Sequence, residues 1–251
     1  MTGAQARRRG NAVWHPVVVS ITLRATISRR RALLFALPAV ILTGVSLLLK
    51  LTARSSTWPA DFLGTFGFSV VLPLTALIIG TSVLGAEIDD GSVLHLLATP
   101  VRRSAVVLSK FTVAAGLTIA FGALPELAAG LIATGGPSRL AAGLLCGALA
   151  AAVIYNAIFL MVSALTSRAI AVGLLYLLVW EGLLANLVSG ASELSVGQYS
   201  LEIAASIARD PGLQVHLGLL TSVFLSAVVT VAALAVAIRA LAGFSLKGEA
   251  T

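Results

Sequence analysis

Apolar residues run along this chain in long stretches broken by short polar segments, without the alternation or three-to-four spacing of a half-exposed surface element. Six stretches reach the roughly 20 residues that carry a helix across the hydrocarbon core of a bilayer. They are Ala32–Leu51, Phe62–Leu84, Val106–Ala133, Ala141–Leu165, Ala169–Val188 and Leu217–Ile238. The pattern predicts an all-α integral membrane protein with six transmembrane helices. The third stretch is long enough to tilt or to begin before the membrane boundary. Pro38, Pro73 and Pro125 fall inside these stretches, where a membrane helix tolerates a kink as its neighbours re-satisfy the freed backbone.

The polar segments orient the helices. With the N-terminus inside, one side of the membrane holds Arg7, Arg8, Arg9, Arg24, Arg29, Arg30, Arg31, Arg102, Arg103, Lys110, Arg168, Arg239 and Lys247. The other side holds Lys50, Arg54, Arg139 and Arg209. By the positive-inside rule the richer side is cytoplasmic, so both termini are expected there. Residues 1–31 then form a cytoplasmic N-terminus, residues 32–238 the six-span domain and residues 239–251 a cytoplasmic tail. Arg7–Arg9 lead into a polar break and not an apolar run, so the N-terminus does not read as a signal peptide. Pro16–Arg31 suits a helix lying along the inner leaflet, with Trp14, Val17, Val18, Ile21 and Ala25 on one face. The one sizeable external segment, 189–216, contains a short candidate interfacial helix at Ser200–Ala208, stopped by Asp210-Pro211-Gly212.

Composition agrees with the bilayer as solvent. Of 251 residues, 58% are hydrophobic and 11% charged, against roughly 25% charged in a soluble domain. The net charge of +7 would suggest nucleic acid in a soluble protein, but here topology explains it and no nucleic-acid partner is expected. The lone Cys146 excludes an intrachain disulfide. The chain contains no phosphate-binding loop of the Gly-x-x-x-x-Gly-Lys-Ser/Thr form, no His-Glu-x-x-His, and no Gly-x-Ser-x-Gly. Nothing in the sequence assembles a nucleophile with its base, so an enzyme is not expected.

The most informative polar stretch lies between the second and third spans, at 85–105. Glu87, Asp89 and Asp90 stand at the water boundary. Ser92–Leu97 has room for a short helix showing Val93, Leu94, Leu96 and Leu97. Pro100 ends it, because the residue before proline avoids the α region. Arg102 and Arg103 return the chain to the headgroups. An apolar helix of this size facing the cytoplasm needs a cover, such as a groove on a partner protein.

At these residues the chain resembles the permease subunits of ABC-2-type ATP-binding-cassette transporters. It is most similar to the six-span bacterial group that includes the copper-maturation permeases of nitrous oxide reductase systems. That pattern has a Glu, a Gly four residues later, a Leu-Leu pair, a Pro, an Arg three residues beyond it and a Lys ten beyond it. Here these are Glu87, Gly91, Leu96-Leu97, Pro100, Arg103 and Lys110. Ile88 replaces the usual basic residue after the Glu, which removes any ion pair made there. The resemblance implies a pair of permease subunits, identical or different, in a bacterial plasma membrane. It implies cytoplasmic ATPase subunits on separate chains, docked on a coupling helix at Asp90–Thr99 and driving export of a substrate not identified here. It implies no cofactor bound directly, with ATP and magnesium held by the ATPase.

Two ionisable residues lie inside apolar spans, Glu126 and Glu181, the latter five residues before Asn186. Intramembrane carboxylates are candidates for a translocation path by default; the plain alternative is a polar contact between helices. Gly143 and Gly147 form a Gly-x-x-x-Gly that permits close approach of a second helix, from the same chain or another. Lys110 is expected to snorkel to the interface. Two further classes compete with a transporter: a membrane scaffold or sensor coupling an ATPase to an extracytoplasmic partner through 189–216, and a membrane-embedded maturation enzyme using Glu126 or Glu181.

Overall fold

The computed structural model describes residues 19, 22–23, 26, 29–52, 57–89, 103–184, 195–213, 215 and 217–248. Among them the regular structure is entirely helical. Five helices are long and apolar enough to cross a membrane: Arg31–Thr52, Trp58–Leu84, Arg103–Thr134, Arg139–Leu165 and Leu219–Leu241. They are called here spans one, two, three, four and six. A shorter apolar helix, Ala169–Leu183, occupies the place of the fifth; its expected continuation to Val188 lies outside the described residues. The chain is a multi-pass membrane protein.

Burial divides the spans. In the most apolar windows of spans two, three and four, 61%, 61% and 67% of residues are buried, against 17% in spans one and six. The main core therefore lies among spans two to four, with Leu72, Ala123, Leu144 and Phe159 in it. Spans one and six are peripheral, and side chains such as Leu33, Val40, Leu220 and Val231 are more than half exposed. In a bilayer such residues meet lipid or protein at no hydrophobic cost, so exposure here is not a defect.

Two spans widen ahead of their prolines. Leu63–Val71 is π-helical and gives way to α-helix at Leu72, one residue before Pro73. Ile119–Ala123 is π-helical and gives way at Leu124, one residue before Pro125. A proline ring clashes with the carbonyl four residues earlier and brings no N–H. A wider turn at that point moves the carbonyl aside and keeps the helix continuous. Pro38 sits inside an α-helix without such a stretch. A third π-helical run, Tyr176–Leu184, contains no proline; it carries Glu181.

In the 189–216 segment the helix begins at Val196, four residues before the expected Ser200 start, and ends as expected at Ala208. Val196–Ala208 is a helix packed lengthwise on span four, with Tyr199, Ser200, Glu202, Ala204 and Ala208 buried. The glycine pair of span four is its seat. A Cβ on Gly143 would meet the Ala204 carbonyl oxygen and stand 2.9 Å from the Ala208 Cβ. One on Gly147 would meet the Ser200 carbonyl oxygen and stand 2.8 Å from the Ala204 Cβ. The close helix approach that the glycines permit is therefore made within the chain. The helix ends at Arg209 in the left-handed region (φ 52°). Asp210 Oδ1 accepts from the Gly212 N–H at 2.9 Å to turn the chain.

Of the expected inner-leaflet helix, Val19, Thr22, Leu23 and Thr26 are described and helical. Thr22 and Thr26 are buried and Val19 packs beside Phe35 and Ile79, so this face turns toward the protein. Trp14, Val17, Val18, Ile21 and Ala25 lie outside the described residues.

Candidate functional site

Three polar features punctuate the apolar interior. The first is at the end that the charge distribution assigns to the cytoplasm. Helix Leu72–Asp89 carries Glu87 and Asp89 in its final turn, and the chain re-enters at Arg103. Asp90, Gly91, Leu94, Leu96, Leu97, Pro100 and Arg102, the centre of the expected coupling element, lie outside the described residues. The base on which that element stands is described. Lys110 is fully buried, and its Nζ donates to the Val83 carbonyl at 3.0 Å. It therefore does not snorkel outward: its stem runs between spans two and three, and the ammonium finds a carbonyl oxygen there. Arg103 Nη1 donates to the Leu241 carbonyl at 3.4 Å, tying the start of span three to span six. Both cations thus bind backbone carbonyls of neighbouring helices, which braces the roots of the 90–102 segment.

The second feature is Glu126, three residues past the π-helical turn of span three. It is fully buried. Its carboxylate lies against the backbone of Gly67, in the π-helical stretch of span two. A Cβ at Gly67 would stand 2.7 Å from Glu126 Cδ and collide with both oxygens. Among the described residues neither oxygen has a hydrogen-bond partner. A buried, unsatisfied carboxyl is costly, so of the two candidate path residues that are described, Glu126 and Glu181, it is Glu126 whose oxygens are left to a ligand or water. Nearby, Asn156 Nδ2 donates to Thr118 Oγ1 at 2.8 Å and joins spans three and four.

The third feature is Glu181. Sequence reasoning paired it with Asn186, which lies outside the described residues. The structure places it instead at the N-terminus of helix Val196–Ala208. Glu181 Oε1 accepts from the Val196 N–H at 2.9 Å and from Tyr176 OH at 3.0 Å. Oε2 accepts from Ser195 Oγ at 2.5 Å and from the Gly197 N–H at 3.4 Å. Ser195 Oγ in turn accepts from the Gln198 N–H at 3.3 Å. A helix leaves its first N–H groups without intrahelical partners, and its N-terminus attracts negative charge. Glu181 and Ser195 together take the first three. A β-carbon on Gly197 would stand 3.2 Å from Glu181 Oε2 and 3.5 Å from Tyr155 OH, so a side chain here would press on the carboxylate.

At the end that the charge distribution assigns to the outside, Lys50 Nζ donates to the Ile132 carbonyl at 2.5 Å, joining span one to span three beside the left-handed Gly135 (φ 81°). Sequence reasoning missed this tie and the small-residue stripe Ser200, Ala204 and Ala208. That stripe was legible as a four-residue spacing matching Gly143 and Gly147.

A bundle of long apolar helices, two of them widened ahead of prolines, with a capped helix packed on span four, is that of a polytopic membrane protein. The chain belongs to the ABC-2 family of transporters: the family described as "ABC-2 family transporter protein" matches residues 27–189. It is a permease, the membrane component of an ATP-binding-cassette transporter. The match is to the family as a whole; the likeness to the copper-maturation group rests on the Glu87–Lys110 motif alone. No curated protein matches the chain.

Proposed function

We propose that the chain is an ATP-coupled exporter subunit of a bacterial plasma membrane, driven by ATPase subunits on separate polypeptides and paired with a second permease. The observation that carries this reading is the bracing of span three against span two by Lys110 and against span six by Arg103, within a chain of the ABC-2 family. A lever must be rigid at its root if force on its tip is to move the spans. In this reading Asp90–Thr99 is the tip and Leu94, Leu96 and Leu97 seat in a groove on the ATPase. Glu87, Asp89, Asp90, Gly91 and Pro100 shape the element. Arg102 and Arg103 flank it. Nucleotide and magnesium are held by the ATPase, and ATP acts as the ligand that favours one state of the permease.

Glu126 is the residue proposed to face a polar or cationic group in transit, since it is buried with its oxygens unengaged among the described residues. Glu181 is committed to the helix cap and acts in this reading as a positioning residue.

The test is co-expression with each ABC ATPase subunit of the source genome that lacks a membrane domain of its own, followed by purification in mild detergent. Wild type is expected to retain the ATPase, and Leu96→Asp and Leu97→Asp to lose it while eluting as folded protein. Retention by both variants, or failure of folded wild type to bind, overturns the proposal. Vesicle flux then separates an exporter from a scaffold that couples without transport.

A further inference from the structure

Glu126 is held without a counter-charge between the π-helical parts of spans two and three. Its carboxyl is wholly buried. A β-carbon on Gly67, within Leu63–Val71, would stand 2.5 Å from Oε2 and 2.7 Å from Cδ. Among the described residues neither oxygen has a hydrogen-bond partner. Span three runs on through this point, with the Leu124 N–H bonded to the Ile119 carbonyl, and Pro125 has no N–H to give. The carboxyl therefore meets no open helix N-terminus such as the one that holds Glu181. Charged groups on the elements packed around it lie elsewhere. Lys50 of span one bonds the Ile132 carbonyl, six residues beyond Glu126, and Arg29, Arg30 and Arg31 stand at the opposite end of that span. Asp61 and Arg139 are exposed. On span four, Cys146 is half-buried and Tyr155 OH lies by Gly197. Neither π-helical stretch carries an ionisable side chain. Glu202 is buried on the helix that packs against span four and Leu63–Val71, and a second carboxyl supplies no counter-charge.

A carboxylate charge buried without a partner is far costlier than the neutral acid, which keeps the same shape. π-helical turns recur at functional sites, and here two of them frame the carboxyl. We infer that Glu126 is a proton-binding site: it carries a carboxyl proton while Leu63–Val71 covers it, and releases that proton to water when spans two and three part. Only an O–H bond forms or breaks, with the proton coming from water and returning to it, so the step needs no other reactant. The site stands apart from the reading of Glu126 as a path residue, because a proton can bind whether or not a substrate passes. Closure then takes up one proton, and acid favours the closed bundle. Between the titrations of the open and closed forms, opening rises about tenfold per pH unit.

The test uses the full chain, purified in an ester-free detergent and read by infrared absorption at neutral pH. Wild type is expected to show the C=O band of a protonated carboxyl. Glutamate labelled with heavy carbon should shift that band and Glu126→Gln should remove it, while Glu181→Gln and Glu202→Gln keep it. Absence of the band from wild type, or its loss in Glu202→Gln and not in Glu126→Gln, overturns the inference. The isotope keeps the test open if Glu126→Gln unfolds, since a band that labelled glutamate does not move overturns the inference as well. Hydrogen exchange of the 63–71 amides, corrected for the pH dependence of free amides, is the second readout. Opening in wild type should grow by up to about tenfold per pH unit. In Glu126→Gln, which has no proton to lose, it should not vary with pH. A purely structural role predicts the same pH profile in both proteins, and that result overturns the inference. Neither readout involves flux, so failure of the path reading would leave the proton site standing.

Discussion

Replacing Glu181 by alanine removes the acceptor that holds the N-terminus of helix Val196–Ala208. Four donors lose a partner: the Val196 and Gly197 N–H groups, Ser195 Oγ and Tyr176 OH. The two hydroxyls can rotate to other acceptors, but the two N–H groups are fixed by the helix. Each unsatisfied buried N–H costs about 1–3 kcal/mol, and the lost interaction with the helix N-terminus about 0.3–1 kcal/mol more. Water entering from the external face offsets part of this, and the 3.4 Å bond from Gly197 is the weaker one. A net destabilisation of the seated helix of about 2–4 kcal/mol follows, a factor of roughly 30 to 1,000 in its opening equilibrium. Glu181→Gln keeps one acceptor oxygen and should cost about half as much, because its NH₂ faces donors where Oε2 accepted. Hydrogen exchange of the 196–208 amides in nanodiscs reads this directly. Alanine should speed exchange across the whole helix by at least tenfold, glutamine by less, while span four amides hold. Wild-type exchange in the alanine variant would refute the capping role and return Glu181 to the candidate translocation path.

Gly143→Val and Gly147→Val put carbon where the Ala204 and Ser200 carbonyls lie; each should cost about 1–3 kcal/mol or more, read as an earlier thermal transition in detergent, and an unchanged transition would argue against the seam. Gly67→Ala should be similarly harmful because of Glu126, and Glu126→Ala should relieve it. A thermal double-mutant cycle should show coupling of about 1 kcal/mol or more, whereas additive effects would separate the two residues. Glu126→Gln preserves shape and should leave folding and ATPase binding intact while lowering vesicle flux; full flux at normal expression would remove it from the path.

The span positions were legible because a bilayer demands long apolar runs, and the described helices follow them closely, as at Val106–Ala133 within Arg103–Thr134. What lay beyond the sequence was pairing. Lys110 reads as a boundary residue from its neighbours in the chain, and only the packing of spans two and three buries it against Val83. Glu181 reads as a lone intramembrane carboxylate because, Tyr176 apart, its partners are Ser195 and two backbone N–H groups, fourteen to sixteen residues on. Gly143 and Gly147 announce a close approach, but not whether a helix of the same chain or of another makes it. Two of the π-helical runs were signalled only by their prolines, Pro73 and Pro125; the third, Tyr176–Leu184, carries no such signal.

The seam between span four and the tucked helix has an evolutionary consequence. Its floor at 143 and 147 is hydrogen and backbone alone, and every single-nucleotide missense change from a glycine codon adds at least a β-carbon. At both positions that carbon lands on a carbonyl oxygen of the facing helix, an atom that no substitution across the seam can remove or shrink. The seam cannot drift by exchanging a large residue on one side for a small one on the other, as ordinary cores do. It can change only if the two backbones move apart, so lineages descended from this chain should keep both glycines or lose the tucked helix together with them.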